Sequence, residues 1–277
     1  MHYGRRSDLA LEAKELFESS AGKTTQLSGV RAREETLFGY PLTRVDILDE
    51  TGAEALGKPV GRYVTVDLGP YFRREADYFD RGVRCLAGEL AALLPEGPVL
   101  AAGLGNRAMT CDAVGPASID NLLVTRHMIR AMPRQFADFR PVAAVCPGVL
   151  ARTGLEALEL VRGAVERVRP AAVIAVDALA ARDSARLCAT VQLSDTGLVP
   201  GSGVGNRRSA LDRGTLGVPV IAVGIPTVVD ADPRAGLFLT PRDIDQRIRE
   251  LGRLLGYGIT LALQPSLTAA DITALLG

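Results

Sequence analysis

The chain has 277 residues, and its 32 basic side chains balance 32 acidic ones to a formal net charge of zero. A balanced charge removes the strongest indication of a nucleic-acid binder or of a polybasic membrane binder. Hydrophobic residues make up 47% of the chain and charged residues 23%, which excludes a mainly disordered protein. The sequence shows no signal peptide and no uncharged apolar stretch of about eighteen residues, so we predict neither export nor a membrane span.

The first part of the chain has the pattern of a helix followed by strands. Residues 7–17 have the spacing of a short amphipathic helix, and residues 19–33, which are polar and contain glycine, predict a mobile loop. Residues 43–47 and 62–68 alternate apolar and polar side chains, as half-buried strands do. We therefore expect an N-terminal helix and strands over residues 7–70 that pack on a larger core.

From residue 98 onward, short apolar runs alternate with helical patterns. Continuous apolar runs of this length are typical of parallel strands that are covered on both faces. They predict an α/β fold, a three-layer sandwich with a mostly parallel sheet, in a single domain over residues 1–277. The four runs are residues 99–102, 142–145, 172–176 and 218–223.

Helix starts are predicted by capping residues ahead of the helical patterns. A Thr followed three residues later by an acidic residue forms a capping box, and a Thr before Pro is typical of a first helical turn. These signals predict three helix starts in the second half of the chain. They are Thr153 with Glu156, Thr240 with Pro241, and Thr268 with Asp271.

Two aspartates follow the predicted strands. Open α/β sheets bind ligands beyond the carboxyl ends of their strands, which directs attention to the loops after the four runs. Asp177 directly follows the third run, where a carboxylate is costly unless it is paired or protonated. Asp177 is therefore either a functional group or a helix N-cap. Asp112 lies in the glycine-containing loop after the first run, as either a turn former or a second functional carboxylate.

The topology allows these two aspartates to act together. Two strand-end loops of one parallel sheet can meet over one crevice, so Asp112 and Asp177 can face each other. Two close carboxylates share one proton, and such a pair can activate water with its ionised member and protonate a leaving amine with its neutral member. An alternative is a metal site in which His127 joins them, although His127 can also be a structural histidine.

The remaining motifs are less specific. Residues 194–206 contain G-x-G-x-G, which lacks the spacing of the dinucleotide fingerprint, so we predict a cleft-lining loop and no cofactor. The cysteines are scattered without the short spacings of a zinc site and are predicted to be free thiols. They are Cys85, Cys111, Cys146 and Cys188.

The chain resembles the germination protease family of spore-forming Firmicutes in segments that follow one another over nearly its whole length. The segments around the two aspartates read TCDAVGP at residues 110–116 and IAVDALA at residues 174–180. One departure is Cys111, which stands where proline is expected. The other matching segments are residues 6–10, 61–65, 103–106, 123–127, 144–150, 194–206 and 224–230.

This resemblance implies an endopeptidase that degrades small acid-soluble spore proteins during germination. It implies an aspartic mechanism unrelated to that of pepsin, with the family's two aspartates at Asp112 and Asp177, and a fold like that of hydrogenase maturation proteases. It also implies a cytoplasmic homotetramer of the forespore and spore core, with no cofactor and no direct contact with nucleic acid or membrane. A propeptide that the enzyme removes from itself would comprise only residues 1–6, and we expect self-cleavage within residues 1–8.

Several further residues are weaker candidates for holding the substrate or stabilising an oxyanion. Two other functions stay open at this point. One is a metal-dependent maturation-type peptidase that uses Asp112, Asp177 and His127, and the other is a non-catalytic module that binds spore proteins. The weaker positioning candidates are Asn106, Arg126, Ser202 and Asn206.

Overall fold

One sheet contains all the strands of the described chain. The computed structural model describes residues 7–21, 27–202, 205, 208–232 and 236–277. The strands there are β1 (Val30–Leu37), β2 (Tyr40–Ile47), β3 (Gly61–Asp67), β4 (Val99–Leu104), β5 (Val142–Gly148), β6 (Ala172–Ala181), β7 (Thr190–Ser194), β8 (Val220–Asp232) and β9 (Leu237–Leu239). Their order across the sheet is β1-β2-β3-β7-β8-β6-β4-β5, and β9 pairs with β8 beside this path.

The helices of the described residues connect these strands. They are α1 (Ala10–Ala21), α2 (Glu50–Leu56), α3 (Gly69–Phe72), α4 (Tyr78–Ala91), α5 (Val114–Asp120), α6 (Arg126–Ala131), α7 (Leu150–Thr153), α8 (Ala157–Val168), α9 (Arg213–Leu216), α10 (Ile244–Leu263) and α11 (Ala269–Leu276). Two short 3-10 helices cover Thr110–Asp112 and Ser184–Arg186. In the described part of the chain, no helix combines the length and the apolar character that crossing a bilayer requires.

Helices cover both faces of the sheet, which confirms the predicted three-layer α/β class. Alternate residues of a strand point to opposite faces. Ile174 and Val176 of β6 therefore pack in a core with α4, α5 and α10, whereas Val173 and Ala175 pack in a second core with α8. The predicted continuous apolar runs are explained by this burial on two sides.

The sheet is mixed rather than mostly parallel. Strands β8, β6, β4 and β5 form a parallel core, as the apolar runs predict. The pairs β1–β2, β2–β3, β3–β7, β7–β8 and β8–β9 are antiparallel. The parallel core has its carboxyl ends on one edge, and this edge positions the candidate site.

Several predicted boundaries are wrong, for local reasons. The expected loop over residues 19–33 ends in strand β1, whose charged and exposed side chains hide the strand pattern. Residues 22–26 of that loop lie outside the described residues. The segment between β2 and β3 contains the unpredicted helix α2, capped by Asp49. Strand β7 was also not predicted.

Two of the three predicted helix starts also differ. Gly154, with φ of +73°, ends α7 after Thr153, so that α8 begins anew with Glu156 as its N-cap and Glu159 closing the capping box. The Thr240 hydroxyl donates to the carbonyl of Thr227 at 2.8 Å, and α10 begins only at Ile244. The capping box of Thr268 with Asp271 at the start of α11 is confirmed.

Candidate active site

The carboxyl ends of β4 and β6 bring the two predicted aspartates to one cavity. The two strands are adjacent and parallel, and their last aligned pair is Gly103 with Val176. Asp177 follows that pair directly in β6, and Asp112 lies in the loop after β4. Both aspartates line a cavity of about 280 Å³ at this edge of the sheet.

Asp177 lies inside a strand rather than at the start of a helix. Strand β6 continues through it to Ala181, so the interpretation as a helix N-cap is wrong. Its side chain is only 4% exposed, and one carboxylate oxygen accepts a hydrogen bond from the amide of Ala178 at 2.9 Å. Burial, followed by the negative charge of Asp112, raises the pKa of Asp177 well above its usual value. Asp177 therefore favours its protonated form.

Asp112 is held by the turn that follows β4. It ends the 3-10 helix, and its carboxylate accepts a hydrogen bond from the backbone amide of Asn106 at 2.8 Å, while its carbonyl accepts from the same backbone amide at 3.0 Å. Gly105 allows this turn because its φ is +107° and a Cβ there would lie 2.0 Å from the Asp112 carbonyl oxygen. Burial raises the pKa of Asp112, and the Asn106 amide opposes that rise.

Helix α5 and strand β8 fix the position of the Asp112 loop. Gly115 in α5 lies so close to the sheet that a Cβ would be 2.3 Å from the carbonyl oxygen of Leu104 and 2.5 Å from that of Val176. From the other side, the buried hydroxyl of Thr227 in β8 donates to the carbonyl of Cys111 at 2.6 Å. The loop is therefore attached to rigid elements on both sides, which is what a pre-organised site requires.

The surroundings of the two aspartates oppose ionisation to different degrees. Asp177 is the more deeply buried of the two and is followed along its strand by apolar residues, so its surroundings oppose ionisation more strongly than those of Asp112 do. Asp112 is half-buried, and the hydrogen bond from the backbone amide of Asn106 favours its ionised form against the larger, opposing effect of burial. A pair of this kind can remove a proton from water and supply another to a leaving group.

A third carboxylate, which sequence reasoning did not identify as a site residue, lies in the same cavity. One Asp8 carboxylate oxygen accepts a hydrogen bond from the Ser202 hydroxyl at 2.6 Å, and the other accepts from the amide of Ala180 at 2.9 Å. Its negative charge contributes to the raised pKa of Asp177, after the larger effects of burial and Asp112. The only indication of Asp8 in the sequence is that it lies within residues 6–10, one of the segments that resemble the germination protease family.

The predicted positioning residues are spread over the molecule. Asn106 lines the cavity of the two aspartates, and Ser202 lines a neighbouring cavity that also includes Asp177. Arg126 instead lines a separate cavity with Pro98 and Pro141, which precede the first residues of β4 and β5. This cavity lies at the amino ends of the parallel strands, opposite the aspartates. Asn206 lies outside the described residues.

The structure does not assemble the alternative metal site. His127 is exposed in α6, which begins beside Val142 at the amino end of β5, since the amide of Thr125 donates to the Val142 carbonyl at 3.1 Å. Asp112 and Asp177 lie at the opposite ends of the strands. Among the residues that the structure describes, no group of three or more His, Cys, Asp or Glu side chains could hold a metal ion.

Comparison with known proteins gives relatives over nearly the full chain. A protein named germination protease from Caldanaerobacter subterraneus subsp. tengcongensis is 41% identical over 99% of this chain and 98% of its own length. A germination protease of Clostridium perfringens is 36% identical over 99% of both chains. One from Bacillus cytotoxicus is 39% identical over 98% of this chain and 77% of its own length.

Among solved structures, a [NiFe] hydrogenase maturation protease from Thermococcus kodakarensis covers 64% of this chain and 99% of its own, with a TM-score of 0.40 and 17% identity. A likeness at this level does not carry a conclusion about function. The family pattern described as germination protease, in contrast, matches residues 10–236, which include both aspartates. Together with the relatives, this match makes the protein a peptidase with a role in spores. The chain belongs to the germination protease family.

Proposed function

We propose that this chain is an endopeptidase that degrades small acid-soluble spore proteins during germination, and that Asp112 and Asp177 activate the attacking water. The observation that carries the proposal is the pair of partly and fully buried aspartates on one cavity, both with raised pKa values, in a chain of the germination protease family. No other group of residues in the described chain combines a cavity with perturbed carboxyl groups in this way.

The proposed mechanism uses one proton on the pair. Ionised Asp112 takes a proton from water as the water oxygen attacks the peptide carbonyl carbon. Protonated Asp177 then gives its proton to the leaving amine nitrogen as the C–N bond breaks. Transfer of the proton from Asp112 back to Asp177 restores the pair. The backbone amide of Asn106 holds the Asp112 carboxylate, and Ser202 lines the neighbouring cavity that also includes Asp177.

The direct test uses purified full-length protein and a small acid-soluble spore protein as substrate. We expect Asp112→Asn and Asp177→Asn each to lose activity by about 10²–10⁴-fold, the range typical of a lost acid or base. Asp80→Asn, an exposed aspartate in α4, serves as the matched control and should keep full activity. Full activity in either site variant, with a folded protein, would exclude the aspartate pair.

We also propose that the enzyme clips its own amino terminus within residues 1–8 and works as a cytoplasmic homotetramer in the spore core. The support for clipping is the position of Asp8, which lines the cavity of the two aspartates and lies two residues before the start of α1. Intact-mass measurement of the wild type and of Asp177→Asn tests this. Loss of N-terminal mass in the wild type alone supports self-cleavage, and an unchanged mass in a fully active wild type rejects it. Sedimentation of the same samples tests the tetramer.

A further inference from the structure

The segment that precedes α1 lies across a free strand edge at the catalytic cavity. Strand β6 pairs with β4 only as far as Val176, so among the strands of the described residues Asp177–Ala181 has β8 alone as a neighbour. Asp8 takes the open side, because its amide donates to the Ala180 carbonyl at 3.0 Å. An open strand edge beside a catalytic group is a surface on which an extended peptide can bind through its backbone.

Two polar side chains hold the backbone of this segment. The Lys58 ammonium donates to the carbonyl oxygens of Asp8 at 3.0 Å and of Ser7 at 3.4 Å. The Gln192 side-chain amide donates to the same Asp8 carbonyl at 3.1 Å, and its oxygen accepts from the amide of Ala10 at 2.7 Å. The Asp8 carbonyl therefore receives two donors, one of them cationic.

Both donors are part of the cavity wall and lie outside the N-terminal segment that they hold. Gln192 lies in the middle of β7 and is only 8% exposed, and both it and Lys58 line the cavity that also includes Asp177. Every hydrogen-bond acceptor that the structure gives the Lys58 ammonium among the described residues lies on Ser7 or Asp8. Removal of residues up to Asp8 would leave a half-buried cation in the cavity that Asp177 also lines, without either of these two carbonyl groups to bind.

We infer that Lys58 and Gln192 are substrate-binding residues that hold a carbonyl of the substrate backbone as they hold that of Asp8, so that the N-terminal segment and the substrate compete for them. This inference rests on the proposed peptidase function. The hydrogen bonds of both residues go to backbone atoms of the segment, so any extended peptide offers the same groups. A carbonyl with two donors, one charged, is also polarised toward attack by water.

The first test measures cleavage of a small acid-soluble spore protein by full-length variants. Lys58→Met and Gln192→Leu should each lower kcat/KM by about tenfold or more, the usual effect of removing a hydrogen-bond donor to a reacting or bound carbonyl. Lys58→Arg keeps a cationic donor and should recover most of the activity, which a purely structural role would not predict. Arg130→Met, which removes an exposed cation near the opposite end of the strands, should leave kcat/KM unchanged. Wild-type activity in folded Lys58→Met and Gln192→Leu would overturn the inference.

The second test does not depend on cleavage. In full-length Asp177→Asn protein, an added aminopeptidase should trim the N-terminal residues faster when the spore protein is present in excess, because the substrate displaces the segment from Lys58 and Gln192. Lys58→Met in this background should be trimmed fast with or without the spore protein. A trimming rate that the spore protein does not change would contradict competition. If the wild type does not cleave the spore protein but the spore protein still speeds trimming, the proposed peptidase function is rejected. The inference that Lys58 and Gln192 bind the spore protein then still stands.

Discussion

At the scale of single residues, the site depends on three carboxyl groups that line one cavity and have limited access to solvent. They are Asp8, Asp112 and Asp177. Asp177 is the most buried of them, and its pKa is raised by burial, by Asp112 and, to a smaller extent, by Asp8. The folded protein therefore contains a carboxyl group in an environment that opposes its ionisation. Such an arrangement costs stability and is typical of functional sites, where the environment is selected for chemistry.

This cost leads to a prediction about stability. Because the pKa of Asp177 is higher in the folded than in the unfolded protein, its favourable contribution is fully present below the unfolded pKa, near 3.8, and is lost as the pH rises through the folded pKa. Asp177→Asn should therefore be more stable than the wild type at neutral pH and should lack this decline. Thermal unfolding at a series of pH values, with Asp80→Asn as the control, measures it. A Tm lower than that of the wild type at neutral pH would contradict the prediction.

The same pair predicts the pH dependence of catalysis. The proposed mechanism requires a proton on Asp177 and none on Asp112, so the rate should fall toward high pH as Asp177 ionises and toward low pH as Asp112 becomes protonated. Since burial raises the pKa of both groups, both limbs should lie above the ordinary titration range of aspartate. The pH profile of kcat/KM is the measurement. A rate that is flat across the neutral and mildly alkaline range would count against a shared proton.

At the scale of elements, the site is built by the close approach of α5 to the ends of β4 and β6. Gly103 and Gly115 permit this contact, since a Cβ on Gly103 would lie 2.6 Å from the Gly115 carbonyl oxygen. Helix α5 follows the Asp112 loop directly, so its height above the sheet determines how near Asp112 lies to Asp177. The packing of the helix and the geometry of the pair are therefore coupled.

Gly115→Ala tests this coupling. The added methyl group meets backbone atoms rather than a flexible side chain, so we expect α5 to be displaced, with a stability loss of about 1–3 kcal/mol or more and reduced activity. The matched control is Gly163→Ala in α8, where a Cβ meets nothing within 4 Å. That substitution should instead stabilise the protein by roughly 0.5–1 kcal/mol, because alanine favours a helix over glycine. Denaturant unfolding of both variants provides the comparison. Equal free energies of unfolding would show that α5 can shift away from the sheet without a cost in stability.

At the scale of the whole molecule, the sheet separates the titratable groups into two ends. The carboxyl ends of the parallel strands carry the aspartates, and the amino ends carry Arg126 and the exposed His127. A metal held jointly by His127 and the two aspartates would need groups from both ends. The architecture therefore argues against the metal site that His127 would share with the two aspartates.

Treatment with a chelator tests this consequence. We expect protein that has been incubated with a chelator and freed of metal to cleave the spore protein at the rate of untreated protein, because the groups proposed for the reaction are side chains alone. Metal content by elemental analysis accompanies the kinetics. Loss of activity that a divalent cation restores would revive the metal-dependent alternative.

The sequence by itself determined the features that depend on neighbouring residues. Apolar runs marked β4, β5, β6 and β8, because strands buried on both faces require continuous hydrophobic sequence. The same logic selected Asp112 and Asp177, which follow two of these runs. The capping box of Thr268 was likewise readable, since a cap involves residues only three positions apart.

Only the tertiary structure decided what depends on contacts between distant parts of the chain. Asp8 meets Ala180, and Lys58 and Gln192 meet the segment around Asp8, across separations that no local pattern records. The sequence offered His127 as a possible metal ligand and Arg126 as a possible positioning residue, yet the chain crosses to the other end of the sheet before reaching them. Strand β6 continues past Asp177 because β8 continues beside it, so a position that resembles a strand end became the buried centre of the site.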